Sequence, residues 1–267
     1  IFITGNWDNA TKPFFFKPDL TLTWGTQTAN LCKKLNGINS KPIGTPRFDL
    51  ISKTKFINKK NAKKILKLNL KNKYLIYAGK IVPSKDYELL IKINKFLDNY
   101  KNFKIIYRPH PYAMDKSNFK DFKKIKAKES LNNIILDPTL TKFSNLQMKQ
   151  YFYLFSASNG LVSSFSTLTL ESAYYKLPAF CFAINEILAE NRFDYELGCK
   201  YAPHLLLLNK YNWPKRSFGY KNFFKNFEIF INKLESDNVA LQKVLDQAIL
   251  TNNLKYYDRL VKIIQDF

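Results

Sequence analysis

The chain has 267 residues, 46% of them hydrophobic, enough for one large or two ordinary domains with real cores. Its net charge of +22 comes from thirty-eight lysines and five arginines against 21 acids; without a zinc-finger spacing, a ribonucleoprotein signature or a basic–aromatic repeat, the excess reads as lysine drift and excludes nucleic acid as the leading partner. No stretch approaches the ~20 apolar residues of a membrane span, and Cys32, Cys181 and Cys199, odd in number and without CxxC spacing, exclude a disulfide framework and a zinc site and suit a reducing compartment.

The opening "IFITGNWDN" lacks an initiator Met and starts inside an apolar run, so the chain reads as beginning within a longer protein. "IFIT" is the end of a strand, "DLTLTW" (19–24) a second strand that ends on a core Trp24, and "TQTANLCKKLNG" a helix closed by Gly37. "KPIGTP" is a short strand ending in a turn. Residues 51–73 hold nine lysines and no acid, which marks a solvated basic connector with one amphipathic helix around "NAKKILKL". From "YLIYAG" (74–79) onward strands alternate with helices: "DYELLIKINKFLDNY", "NFKIIYRPHP", "NNIILDP", a helix over 144–155, "NGLVSSFS", "TLTLESAYYK" and "LPAFCFA". That alternation predicts a parallel sheet covered on both faces. Two or three helices over 219–267 close the chain. The expected division is therefore 1–50, a linker at 51–73, a domain at 74–218 and helices at 219–267.

Ligands of open parallel sheets bind at the carboxyl ends of the strands. Two stretches fall there. In "YRPHP", the prolines on either side of His110 stiffen a loop that carries Arg108 and an imidazole, one of only two histidines in the chain. The stretch "SSFSTLTLE" crowds Ser163, Ser164, Ser166 and Thr167 at a strand-to-helix junction, where free N–H groups and hydroxyls favour an anion. Simple N-capping needs one hydroxyl. Glu171, a turn further on, reads either as a ribose contact or as an ordinary acid near a helix start. His110 likewise has a plainer reading, as the cap of a turn. Histidine, hydroxyls and carboxylate at neighbouring strand ends together suggest a nucleotide phosphate site.

The order "GNWDN … PDLTLTWG … GTPRFD … YAGK … YRPHP … SSFSTLTLESAYYKLPAF" resembles bacterial surface-polysaccharide glycosyltransferases of the GT-B type, over roughly residues 5–182. It is also similar to the capsule-synthesis and bacterial sialyltransferase groups, which carry an HP motif and a downstream Ser/Thr motif. The resemblance implies an α/β, GT-B-like fold with a complete C-terminal Rossmann-like domain and a partial N-terminal, acceptor-side one. It further implies that His110 and the Ser163, Ser164, Ser166 and Thr167 cluster hold the donor phosphate and nucleotide, that Gly79 and Lys80 form a loop close to the phosphates, and that Glu171 binds ribose; Arg108, from its place in "YRPHP", is a further candidate for stabilising the departing phosphate. On the acceptor side Asp8 is the candidate general base, with Trp7 as a sugar-stacking platform and Asn9 beside them; the alternative is that Asp8 and Asn9 shape a turn. The implied reaction is cytoplasmic transfer of a sugar from a nucleotide-sugar donor to a glycan or lipid-linked acceptor in surface-polysaccharide, lipopolysaccharide or capsule assembly. No cofactor or metal is implied. The basic connector offers peripheral contact with an anionic membrane.

Related chemistries share this phosphate site: CDP-glycerol glycerophosphotransfer, sugar-nucleotide epimerisation, or nucleotide-sugar binding without turnover. "DYE" occurs at 86–88 and 194–196, but Asp86 and Glu88 read as ordinary first-turn acids of a helix, and Asp194 and Glu196 lack matching context. No P-loop and no GxSxG is present. His204 reads as a strand-edge residue.

Overall fold

The computed structural model describes residues 1–49, 57–80, 83–110, 116–140, 145–164, 166–183, 202–251 and 254–267. The chain forms two compact units that interleave along the sequence: Ile1–Phe56 with Ala183–Tyr220 and Ser236–Phe267, and Ile57–Phe182 with Lys221–Glu235. This differs from the division expected from sequence, because the chain returns to its first unit after residue 182 and again after 235. Residues 57–73 are not a free linker but part of the second unit. Lys63, one of the connector lysines, is buried there, and its ammonium donates to the Leu70 and Asn72 carbonyls at 3.3 and 2.6 Å.

The first unit has a three-stranded parallel sheet, β1 (Phe2–Ile3), β2 (Thr21–Thr23) and β3 (Ser40–Pro42), with Phe2 opposite Thr21 and Thr21 opposite Ser40. All three β2 residues are buried, as a central parallel strand requires. Helix α1 (Thr26–Asn36) follows β2 and ends at Gly37, whose φ of 63° is the left-handed cap conformation that the sequence predicts. Further on, this unit contains a 3₁₀ turn Pro203–Leu205, so His204 lies on that turn and not on a strand.

The second unit holds α2 (Lys59–Ile65), β4 (Lys73–Ala78), α3 (Pro83–Leu97), β5 (Phe103–Arg108), α4 (Lys116–Lys128), β6 (Ile134–Leu136), α5 (Asn145–Ala157), β7 (Gly160–Ser163), α6 (Leu168–Tyr174) and β8 (Ala179–Ala183). The first unit resumes with α7 (Leu206–Lys210) and β9 (Lys215–Phe218); α8 (Tyr220–Lys233) returns to the second, and α9 (Asn238–Ala248) and α10 (Tyr256–Gln265) belong to the first. Within the second unit the strands are parallel in the order β6-β5-β4-β7-β8. Apolar runs such as "YLIYA" are buried on both faces. On α8, Phe223, Phe227 and Phe230 recur at helical spacing and pack on Phe180 of β8, edge-on, tilted and stacked respectively, with ring centroids 5.4–5.8 Å away. Each such pair contributes about 0.5–1.5 kcal/mol beyond its burial. Among the described residues no helix is long and apolar enough to cross a membrane.

In the first unit α10 covers Leu20, Leu22 and Ile43 with Tyr256, Leu260 and Ile263. Arg259 of that helix is buried. Its Nε donates to the Ile43 carbonyl at 2.7 Å, Nη1 donates to the Leu254 carbonyl, and Nη2 lies 3.8 Å from Asp49. Replacing it leaves buried carbonyls without donors. Arg259→Met is expected to cost about 2–3 kcal/mol in urea unfolding, with Arg259→Lys recovering little of it because the fork is lost. A loss below about 0.5 kcal/mol would show that the helix is held by apolar packing alone.

Candidate functional site

The strand order of the second unit decides where a ligand fits. The chain winds outward from β4 through β5 and β6, then returns to add β7 and β8 on the other side of β4. At such a reversal the connections diverge and leave a crevice at the carboxyl ends of the two central strands. Ala78, the last residue of β4, is paired with Arg108 on β5 and with Ser163 on β7. With strands ~4.8 Å apart, the loops after β5, β4 and β7 start within about 10 Å of one another. The structure thus brings His110, Gly79–Lys80 and the hydroxyl cluster to one edge.

On the β4–β5 side the Gly79 N–H donates to the Arg108 carbonyl at 2.7 Å, and the Lys80 N–H donates to Asp86 Oδ2 at 2.8 Å. A Cβ on Gly79 would sit 2.8 Å from Asp86 Oδ2 and 3.0 Å from the Tyr107 ring, so close packing demands glycine here. The Lys80 ammonium lies over the Phe182 ring, 5.6 Å from its centroid. Arg108 is largely committed to its neighbours: Nη1 donates to Asp137 Oδ2 at 2.5 Å, and its guanidinium lies 4.1 Å from the Tyr151 ring centroid. Its first role is to neutralise buried Asp137. His110 is half-buried, and burial holds its imidazole below the ordinary histidine range, so it is neutral near pH 7.

The β7 side divides the hydroxyl cluster. Ser163 is fully buried, and its Oγ lies 3.2 Å from Thr169 Oγ1 and 3.4 Å from Cys181 Sγ. It packs beneath the crevice, which corrects the expectation that it touches phosphate. Ser164 and Thr167 are partly exposed, and Thr167 stands at the N-cap of α6 without a side-chain capping bond. The Ser166 Oγ is buried with no hydrogen-bond partner among the described residues. Glu171 is also corrected. It is fully buried on α6 and accepts a hydrogen bond from the Tyr151 hydroxyl, so it faces the Arg108 network and not an open ribose subsite. The sequence reading takes Asp86 for an ordinary first-turn acid and does not single out Asp137 or Tyr151. Asp137 alone had a usable signal, as the acid directly after the strand run "NNIIL".

The acceptor-side residues lie in the first unit. Trp7 is 3% exposed and packs edge-on against His204, with centroids 4.9 Å apart, so it is a core side chain and not an open sugar platform. Asn9 Oδ1 accepts from the Asn6 N–H at 2.7 Å and shapes the turn. Asp8, partly exposed, pairs with Lys12 at 2.6 Å. Among the described residues no group of three or more His, Cys, Asp or Glu side chains is placed to hold a metal ion.

No protein-family model matches the chain, and no curated protein matches it in sequence. Solved structures do. The wall teichoic acid polymerase TagF superposes with a TM-score of 0.59 at 15% identity, over 93% of this chain and 58% of its own. S. aureus MnaA, solved with UDP, gives 0.58 at 12% identity over 93% and 59%. A glycosyltransferase from Rickettsia africae gives 0.56 at 11% identity over 93% and 63%. The fold is GT-B. The chain spans about three fifths of the length of these proteins.

His204 supplies a test of the first unit. Burial pushes its imidazole down from 6.5 to about 4, with Asp8 opposing and Lys12 reinforcing the shift. Between those values the unfolded chain binds a proton that the folded chain does not, so stability is full above pH 6.5 and falls as pH drops toward 4. Urea unfolding of wild type is expected to lose up to about 3 kcal/mol more than His204→Gln across that window. A pH-independent difference between the two proteins would contradict a buried neutral imidazole.

Proposed function

We propose that this chain is the donor-binding part of a glycosyltransferase that moves a sugar from a nucleotide-activated donor to a cell-surface glycan acceptor. The observation that carries the reading is the Ser166 hydroxyl, buried without a hydrogen-bond partner among the described residues at the switch point of the sheet. A hydroxyl desolvated in this way costs stability unless something accepts or donates there. A phosphate oxygen at the crevice meets that need, and UDP is the ligand of the similarly folded MnaA structure. The residues assigned to the phosphates are Lys80, His110, Ser164, Ser166 and Thr167, with Gly79 allowing the backbone to come close. Glu171, Ser163 and Arg108 are assigned to support beneath them.

In this reading the acceptor oxygen attacks the anomeric carbon, the bond from that carbon to the donor phosphate breaks, and the electron pair leaves with the nucleotide. Neutral His110 donates a hydrogen bond and Lys80 a charge where negative charge develops, which is worth more in a crevice than in water. The acceptor proton is assigned to Asp8. A cytoplasmic site of action and contact of the basic surface with anionic lipid belong to the same proposal, as do a metal-free reaction and the absence of nucleic acid among its partners. The TagF likeness keeps glycerophosphotransfer as the rival chemistry, since both reactions need the same phosphate cradle.

Calorimetry with UDP, CDP and CMP separates these. The wild-type chain is expected to bind at least one of them, and His110→Ala to weaken binding at least tenfold, about 1.4 kcal/mol, with an unchanged melting temperature. Preference for CDP with turnover of CDP-glycerol favours the phosphotransferase. No binding of any nucleotide, or equal binding by the variant, contradicts the site.

A further inference from the structure

We propose that Asp86 is a positioning residue for the donor site: its buried carboxylate holds the Gly79–Lys80 turn against the end of β5 and thereby sets where Lys80 and the His110 loop meet the phosphate. The proposal rests on the donor-site reading above.

An acid in the first turn of a helix is ordinarily a solvated group that answers the helix dipole. Asp86 is different. It is 0% exposed, and its two oxygens accept three hydrogen bonds from three separate pieces of chain. The Lys80 N–H reaches Oδ2 at 2.8 Å from the turn, the Tyr107 hydroxyl reaches the same oxygen at 3.1 Å from β5, and the Tyr77 hydroxyl reaches Oδ1 at 3.1 Å from β4. The turn is moulded around this group, because a Cβ at Gly79 would collide with Oδ2, with the Tyr107 ring and, at 3.1 Å, with the Arg108 carbonyl oxygen. Tyr107 in turn sits on β5, one residue before Arg108 and three before His110, so one carboxylate is bonded to the Gly79–Lys80 loop and to the strand that leads into His110. Burying a charge is costly unless every lone pair is used, and a buried charge placed only for packing would be replaced by an apolar side chain at no loss. A carboxylate at this point, accepting from a backbone N–H, serves to fix that N–H.

Burial raises the Asp86 carboxyl to about 6, against the bonds from Lys80, Tyr77 and Tyr107 and the charge of Lys80. Among the described residues the groups that face it are Tyr77 on β4, Tyr107 on β5 and Lys80, with Tyr87 of α3 packing its ring on Tyr107. Below that pH the carboxyl gains a proton of its own, so one oxygen becomes a donor and the three bonds must rearrange, a tyrosine hydroxyl turning to accept or one bond being released. The turn then loosens.

Nucleotide binding by wild type and Asp86→Asn, measured by calorimetry with UDP and CDP at pH 8 and pH 5, tests this. Asp86→Asn is expected to bind at least tenfold more weakly at pH 8, and the two proteins to converge at pH 5, where wild type is itself neutral. A merely structural carboxylate would leave the ratio the same at both pH values, and that result overturns the proposal. Tyr107→Phe removes one stabilising bond while keeping the acid, so the midpoint of the wild-type pH profile is expected to move upward; an unmoved midpoint also overturns it. Should Asp86→Asn fail to fold, the Tyr107→Phe profile decides alone. A wild-type chain that binds neither nucleotide overturns the donor-site reading and this inference with it, whereas nucleotide-binding wild type with an indistinguishable Asp86→Asn overturns the inference only.

Discussion

The double pairing of Ala78 is the constraint on which the candidate site depends. One residue at the end of β4 is in register with Arg108 on one side and with Ser163 on the other. Side chains alternate along a strand, so a shift of one residue in either pairing would turn Arg108 or Ser163 to the opposite face and separate the loops that follow. Burial on both faces of β4 makes such a slip expensive. Strand order then does the rest: with β5 and β7 flanking β4, Gly79, His110 and the hydroxyls after Ser163 cannot be far apart.

Beneath that edge lies a layer of buried polar groups, each tied to a neighbour. Asp137 balances Arg108 and accepts from both the N–H and the hydroxyl of Thr139, at 2.8 and 2.7 Å. Tyr151 lies beneath the Arg108 guanidinium and donates to Glu171. Asp86 gathers Tyr77, Tyr107 and the Lys80 N–H. A layer of this kind is costly if half satisfied and rigid when complete. Against that layer, the Ser166 hydroxyl at the edge is buried with no hydrogen-bond partner among the described residues.

The second unit was readable in the sequence because its strands are continuous apolar runs: "YLIYA", "FKIIY" and "AFCFA" are bounded by turn residues and have few competing readings. Gly37 announced its cap for the same local reason. Other features depend on distant chain and had no local signal. Helix Lys116–Lys128 carries a polar, lysine-rich face that resembles loop composition, and strand Lys215–Phe218 has no alternation. The interleaved units cannot be inferred from a linear reading, since 183–220 and 236–267 join the first unit through tertiary packing. Within the site, the same hydroxyl-rich stretch contains one residue that packs inward, Ser163, and one, Ser166, whose hydroxyl has no partner among the described residues. Glu171 and Trp7 have residue types that suit a ligand, yet neighbours from other elements enclose them. Conversely, Asp86 looked like any first-turn acid until its burial was seen.

The direct test is a crystal structure of the protein with a bound nucleoside diphosphate. The account predicts the phosphates at the carboxyl ends of β4 and β7, with an oxygen within hydrogen-bond distance of Ser166 Oγ and another within reach of His110 or Lys80. A diphosphate bound elsewhere on the protein, with Ser166 still unbonded, would contradict it.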